Sequence, residues 1–311
     1  MTGGVPDGDA DSASFRDELF EHGLLIPSGV PGLYGCGAVF EEIRVSFELL
    51  VARVASDDAP ETMRFPPLLP RAQLESSGYL ASFPHLAGSV FAFEGSEDDA
   101  VKLDERASRH ADWSEFQRMS EVAMTPAACY PVYPAVAARG ALAPGGIVVD
   151  AGGAWVFRHE PSEDPTRLQM FHQRELVRIG APDEVLAWRD RWRDRGLALL
   201  HSLGLAAEPD RAADAFFGRG GRMLAANQRS EALKYELLVQ IAGTKRTAVA
   251  SFNYHRDHFA AAHGLVLADG STAHTACLGF GEERIVLALL RTHGLDPGRW
   301  PDAVRAELWS A

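Results

Sequence analysis

At 311 residues the chain is long enough for one large α/β or α+β domain, and its 46% hydrophobic content is that of a folded protein. Thirty Lys and Arg against 43 Asp and Glu leave a formal charge of −13, which opposes nonspecific binding to a polyanion. No run of about 18 apolar residues offers a membrane span, and the start lacks the basic and apolar parts of a signal peptide, so the expected location is cytoplasmic, without membrane attachment.

Residues 1–14 are rich in Gly, Asp and Ser and read as a disordered start. From Gly37 to about Ala55, Val39, Phe40, Ile43, Phe47, Leu50, Val51 and Val54 recur at helical spacing and predict a packed helix. Ser56-Asp-Asp-Ala-Pro-Glu ends it, and Phe65-Pro-Pro-Leu-Leu-Pro cannot continue a helix. Strand signals then cluster at Ile147-Val-Val, Trp155-Val-Phe, Leu168-Gln-Met-Phe, Tyr235-Glu-Leu-Leu-Val-Gln-Ile and Thr247-Ala-Val-Ala-Ser-Phe, with a helix from Pro182 to Leu203. Hairpin-like connections favour an antiparallel sheet flanked by helices, an α+β architecture.

Two segments carry candidate chemistry. Arg158 and Glu160, two apart after Trp155-Val-Phe, share one face if the strand continues, and such a pair suits a nucleotide: the guanidinium forks onto phosphate, the carboxylate accepts from an exocyclic amine. His274-Thr-Ala-Cys277-Leu-Gly279-Phe-Gly281-Glu-Glu-Arg284 reads as strand, glycine turn and helix, with Ile285, Val286, Leu289 and Leu290 burying the far face and Arg284 in the first turn. A lone pair or arginine of this kind also occurs in purely structural ion pairs. The three cysteines, Cys36, Cys129 and Cys277, have no short spacing and make no disulfide framework.

In this order and spacing the two segments resemble motifs 2 and 3 of the class II aminoacyl-tRNA synthetases, and the His-Gln and His-Thr segments with Ala232-Leu-Lys234-Tyr-Glu-Leu-Leu resemble the seryl enzymes. Gly23-Leu-Leu-Ile-Pro-Ser-Gly-Val-Pro-Gly-Leu-Tyr-Gly35, Ser77-Gly-Tyr-Leu-Ala-Ser-Phe-Pro-His-Leu-Ala-Gly88, Phe217-Gly-Arg-Gly-Gly-Arg222 and Ser251-Phe-Asn-Tyr-His-Arg-Asp-His-Phe259 are similar to the amino acid:[carrier protein] ligases, truncated seryl-synthetase homologues. The resemblance implies an N-terminal helical and mixed appendage over 15–108 packed on a class II catalytic domain over 109–311, with an insertion near 205–225.

It also implies ATP-dependent activation of a small amino acid as its adenylate, then transfer to the phosphopantetheine thiol of a carrier protein. Arg158 is implied at the α-phosphate, Glu160 at adenine, Arg284 at the γ-phosphate and Arg167-Leu168 at the adenine end of the motif 2 hairpin. Ala248 stands where seryl enzymes place a magnesium-binding acid, so it can offer only backbone, and magnesium must rely on phosphates, water and another acid. Cys129, Glu175 and Cys277 match the zinc set of the ligases and of methanogen-type seryl enzymes. Three such ligands leave one tetrahedral position open for the α-amino group.

Glu175, Ala250 and Ser251 are the expected amino-acid contacts, their small neighbours favouring glycine or alanine over serine. Arg219 and Arg222 are the preferred carrier docking site, with Arg189, Arg191, Arg193 and Arg195 as the alternative. Class II kinship implies a homodimer, with an interface around Glu115 to Pro134 using Val122, Met124, Tyr130 and Val132. A seryl-type tRNA synthetase is the competing enzyme, made unlikely as a tRNA binder by the acidic balance and the absence of a helical arm. A silent amino-acid or nucleotide sensor on the same fold is the non-enzymatic alternative.

Overall fold

The computed structural model describes residues 7–243 and 245–309. In chain order it runs α1 (Asp7–Glu21), β1 (Leu25–Val30), β2 (Leu33–Cys36), α2 (Ala38–Ala55), β3 (Glu61–Thr62), β4 (Leu68–Pro70), α3 (Arg71–Ser76) and α4 (Tyr79–Ser82). There follow β5 (Ser89–Phe93), α5 (Glu97–Ser108), β6 (Gln117–Met124), α6 (Val132–Ala137), β7 (Ile147–Asp150), β8 (Ala154–Phe157) and β9 (Met170–Gly180). The rest is α7 (Pro182–Ser202), β10 (Glu208–Arg211), α8 (Gly218–Ser230), β11 (Lys234–Val239), β12 (Thr247–Arg256), α9 (His258–His263), β13 (His274–Gly281), α10 (Glu282–His293) and α11 (Asp302–Trp309).

The main sheet has the order β10-β11-β12-β13-β9-β7-β3, with β8 also paired to β9. Every neighbour is antiparallel except β3 and β7. One face is covered by α2, α7 and α10, whose apolar sides join Leu237, Phe252, Leu278 and Phe280 in the largest core. On the other face a smaller core gathers Val132, Tyr133, Val177, Ile179, Phe259 and Ala273, and this face also carries the candidate site. A separate three-stranded sheet, β4-β6-β5, packs beside it.

Several expectations change. The start is helical from Asp7, because Phe15 and Leu19 bury in the main core and Asp11 pairs with Arg291; residues 1–6 lie outside the described residues. The chain from Phe15 to Thr62 supplies core and an edge strand of the main sheet, and β4 and β5, before residue 109, pair with β6, after it, so the parts expected over 15–108 and 109–311 share both sheets. The sequence predicts a helix over 37–55 and another over 182–203; α2 and α7 match both closely.

The Glu115–Pro134 stretch is a poor partner surface at its end: Val132 is fully buried in its own chain, and Tyr130 packs against Tyr79 and Phe259. Large exposed apolar side chains lie on the outer side of α2, at Val45 and Leu49, on β5, at Phe91 and Phe93, and, within the stretch itself, at Met119 on β6. Among the described residues no helix is long and apolar enough to cross a membrane.

Candidate active site

Strand pairing builds the site. Antiparallel β9 and β13 set Glu175 opposite Gly279 and Cys277 opposite Val177, so side chains two apart on each strand face the same way. Cys129 arrives on the turn before α6, fastened by its own amide to Glu175 Oε2 at 2.7 Å, while the Ala128 amide donates to Gln173 Oε1 at 3.0 Å. The ligand atoms of Cys129, Glu175 and Cys277 all lie within 4.8 Å of one another, and all three residues are buried.

Three acidic groups packed this way resist ionising together. Burial pushes the Glu175 carboxyl above its usual range. The Cys277 thiol is driven well up by its hydrogen bond with Cys129, then by burial and Glu175. Cys129 is pulled down by Cys277 but more strongly raised by burial and Glu175 together. The fully buried Tyr133 hydroxyl has Cys129 as its polar neighbour. Two thiols and a carboxylate in mutual contact fit a zinc ion: a divalent cation would remove their repulsion and hold all three ionised.

A cationic pole lies on the motif 2 and motif 3 side. Strand β8 stops at Phe157, so Arg158, His159 and Glu160 follow it as a loop rather than continuing the alternation, although Arg158 N–H still bonds Gln169 O at 2.9 Å. Glu160 is ion-paired with Arg167, which is half exposed, and Leu168 is partly buried beside it. The predicted glycine turn before Arg284 is absent: Gly279 and Gly281 are inside β13, which passes directly into α10. A Cβ on Gly279 would come within 2.8 Å of the Gln173 amide, which explains the glycine by close packing.

Arg284 reaches back from the first turn of α10 and donates to Thr166 O at 2.7 Å and to Ala248 O at 2.9 Å. Ala248 therefore takes part through its carbonyl alone. Burial, and then the charges of Arg158 and Arg167, pull Arg284 down to about 10. Three guanidinium groups with Glu160 and Glu236 as the nearby acids form a pole that an anion would stabilise.

Ser251 sits opposite Gly279 in the β12–β13 ladder, on the site face. Ala250 does not: it is buried in the helix-covered core with Phe252. A bulge between Leu237 and Leu238 inserts Val249 into the ladder, so Val249 and Ala250 both enter the core and the alternation counted from Ala248 is broken.

Between the poles lies a group the sequence reading missed. Asp214 accepts from Lys234 Nζ at 2.6 Å and Gln228 Nε2 at 2.8 Å, and Lys234 also meets Glu236 at 3.0 Å. The Asp214 carboxyl is held below its usual range: burial opposes this, but Lys234, Gln228 and Arg158 outweigh it. Tyr79 and Tyr130, raised chiefly by burial, sense both Asp214 and Arg158 and so line the same space. The Lys234-Tyr-Glu run was the visible trace; Asp214 and Gln228 stand in a segment with no motif spacing.

The basic candidates separate clearly. Arg219 and Arg222 are exposed on α8 and make no ion pair among the described residues, next to exposed Phe217, Met223 and Leu224. In the alternative cluster, Arg189 is buried against Asp190 and Tyr235, Arg193 pairs with Asp190 and Asp194, and Arg195 pairs with Asp58 and lies over Trp192. Those three charges are already used, whereas Arg191 is exposed and makes no ion pair among the described residues. Of the histidines near the motifs, His172 is hydrogen-bonded to Glu283 and His274 to the Tyr254 hydroxyl, and Cys36 stands away from the metal cluster.

An antiparallel sheet with this cationic and this thiol pole defines a class II aminoacyl-tRNA synthetase-like catalytic domain. The M. kandleri SerRS, solved with A. aeolicus tRNASec, superposes with a TM-score of 0.80 at 22% identity, over 94% of this chain and 60% of that one. The chain belongs to the amino acid–[acyl-carrier-protein] ligases. Two proteins of Bradyrhizobium diazoefficiens named amino acid–[acyl-carrier-protein] ligase 2 and ligase 1 are 43% and 44% identical, over 97% and 96% of this chain and 91% of each relative. No protein-family model matches.

Proposed function

We propose that the protein activates a small amino acid with ATP and passes it to the phosphopantetheine thiol of a carrier protein. The observation that carries this is the pairing of a three-arginine pole with a Cys-Glu-Cys pole on one sheet face. The amino acid carboxylate attacks the α-phosphorus of ATP and pyrophosphate leaves; the carrier thiol then attacks the carbonyl and AMP leaves. Arg158 offers charge to the α-phosphate and Arg284 to the γ-phosphate, each interaction strongest as charge shifts in the transition state. Arg167, Glu160 and Leu168 border the adenine.

Cys129, Glu175 and Cys277 would hold zinc, which when bound supplies an open position for the α-amino group. Ser251 and the glycine-lined strand beside it leave room for glycine or alanine. Both acids near Arg284 are already ion-paired, Glu160 to Arg167 and Glu236 to Lys234, so magnesium would be carried chiefly by phosphate oxygens and water.

Arg219 and Arg222, with the apolar Phe217, Met223 and Leu224, suit an acidic carrier bearing a phosphate at the base of its arm. The negative total charge favours this partner over tRNA. A homodimer is proposed through the outer side of α2, where Val45 and Leu49 are exposed; sedimentation as a monomer at micromolar concentration would contradict it.

Pyrophosphate exchange across amino acids tests the activation step, with glycine or alanine expected to exceed serine. Incubation with a phosphopantetheinylated carrier or with tRNA then tests the acceptor. Exchange best supported by a large or charged amino acid, or charging of tRNA alone, would overturn the reading.

A further inference from the structure

The two thiols of the metal cluster do not have the same surroundings. Cys277 Sγ is met from the neighbouring strand by two nitrogens, Asn253 Nδ2 and His255 Nε2, each at 3.5 Å. Both belong to β12, whose residues 253 and 255 lie two apart on the face that carries the site. Cys129 has the Tyr133 hydroxyl as its neighbour instead.

His255 is itself oriented. Its Nδ1 lies 3.1 Å from Thr275 Oγ1, and Thr275 is fully buried on β13, two residues before Cys277. The ring packs edge-on against Phe259 at 4.9 Å, which limits its rotation. A thiolate can only accept, so with Cys277 ionised the His255 proton belongs on Nε2. Nδ1 then carries a lone pair, and the Thr275 hydroxyl must donate to it. The direction of the whole relay follows: Thr275 to His255 to Cys277.

We propose that Asn253 and His255, the latter oriented by Thr275, are positioning residues that hold the Cys277 thiolate and draw electron density from it. This rests on the zinc reading given above. Two N–H donors on one sulfur favour thiolate over thiol and fix its orientation, which aids binding of the ion, and they lower its electron donation below that of Cys129. The open position is thereby left more electrophilic toward an amine than two unmodified thiolates would leave it.

The full-length protein loaded with cobalt(II) reports on this directly, because the thiolate-to-cobalt charge-transfer band moves to lower energy when hydrogen bonds to sulfur are lost. His255→Phe and Thr275→Val are each expected to red-shift that band, and zinc affinity measured by chelator competition should fall about 10- to 100-fold. Thr275→Val exchanges one hydroxyl for a methyl, so it decides the matter if His255→Phe fails to fold. Asn253→Leu should shift the band in the same sense. Wild-type band position and affinity in folded Thr275→Val and Asn253→Leu variants would overturn the relay while leaving zinc in place. A wild-type protein that takes up cobalt without any thiolate band would overturn the zinc reading and the relay with it.

Discussion

At one pole of the sheet face burial, Arg158 and Arg167 lower the basicity of Arg284; at the other, burial keeps Cys129, Glu175 and Cys277 from ionising together. Among the described residues Glu160 pairs with Arg167 and no cation meets the thiols, so a polyphosphate at the first pole and a divalent cation at the second would each relieve what remains. Arg158 lies in reach of both, since its charge lowers both Arg284 and the Glu175 carboxyl. An amino acid with its amine toward the thiols and its carboxylate toward Arg158 fits the polarity of the space between. By contrast, the ion pairs on the helix-covered face, such as Arg174 with Asp150 at 2.6 Å, are closed internally and describe no ligand.

The most damaging way to break this contrast is to remove one member of the thiol pole. Cys277→Ala is expected to abolish amino-acid-dependent pyrophosphate exchange and bound zinc together while the fold persists, since two ligands cannot retain the ion. Metal analysis and circular dichroism check both halves; full zinc content in the variant would remove Cys277 from the site.

At the cationic pole, Arg158→Ala and Arg284→Ala are each expected to slow adenylate formation by at least about a hundredfold, the scale of losing a charge partner for the transition state. Zinc content should be unchanged, which is what separates the poles. Exchange within a few-fold of wild type in either variant would show that the phosphates lie elsewhere.

The poles were legible in the sequence to different depths. Arg158, Arg284 and Cys277 stand next to strands and glycines whose order is itself a signal. Cys129 and Glu175 lie 46 residues apart, and only strand pairing and the turn before α6 bring them together. Where local rules were extended across an irregularity they failed: the strand ends at Phe157 before Arg158, and the bulge at Val249 turns Ala250 into the core. The Asp214, Gln228 and Lys234 network had no periodic trace, because it joins a loop, a helix and a strand through side chains alone. Sheet order and the N-terminal contribution to the core are likewise set by contacts between distant segments, such as Phe47 with Phe280.

A third perturbation leaves both poles intact and asks about the acceptor. Arg219→Glu with Arg222→Glu should lower carrier loading about tenfold or more with pyrophosphate exchange unchanged, because reversing a steering patch acts on encounter rather than on adenylation. Added salt should lower wild-type loading in the same direction. Undiminished loading by the reversed protein would move docking away from α8.

The smallest expected effect separates the ligand-seeking charges from one that is structural. Glu282 adjoins the motif 3 arginine in sequence but turns to the other face, fully buried, with its carboxylate 2.6 Å from Arg44 Nη1. Burial first, and then the charge of Glu48, push it from 4.5 up to about 7 despite Arg44. A carboxyl whose folded value is raised binds its proton more tightly in the folded state. Its contribution is therefore fully present below pH 4.5 and is lost as pH rises through about 7. The shift sets an upper scale on the order of 3 kcal/mol. Glu282→Gln should flatten this part of the stability profile, since the amide does not titrate, and Arg44 keeps Glu41 at 2.9 Å as a partner. Urea midpoints between pH 4.5 and 7.5, taken on zinc-loaded protein so that Glu175 stays ionised, measure it. Asp214 acts with the opposite sign and in another window: its folded value lies below 3.8, so its stabilisation fades only in stronger acid. An equally steep loss in the Glu282→Gln protein would place the titration on a different group and leave Glu282 an ordinary ion-pair partner of Arg44.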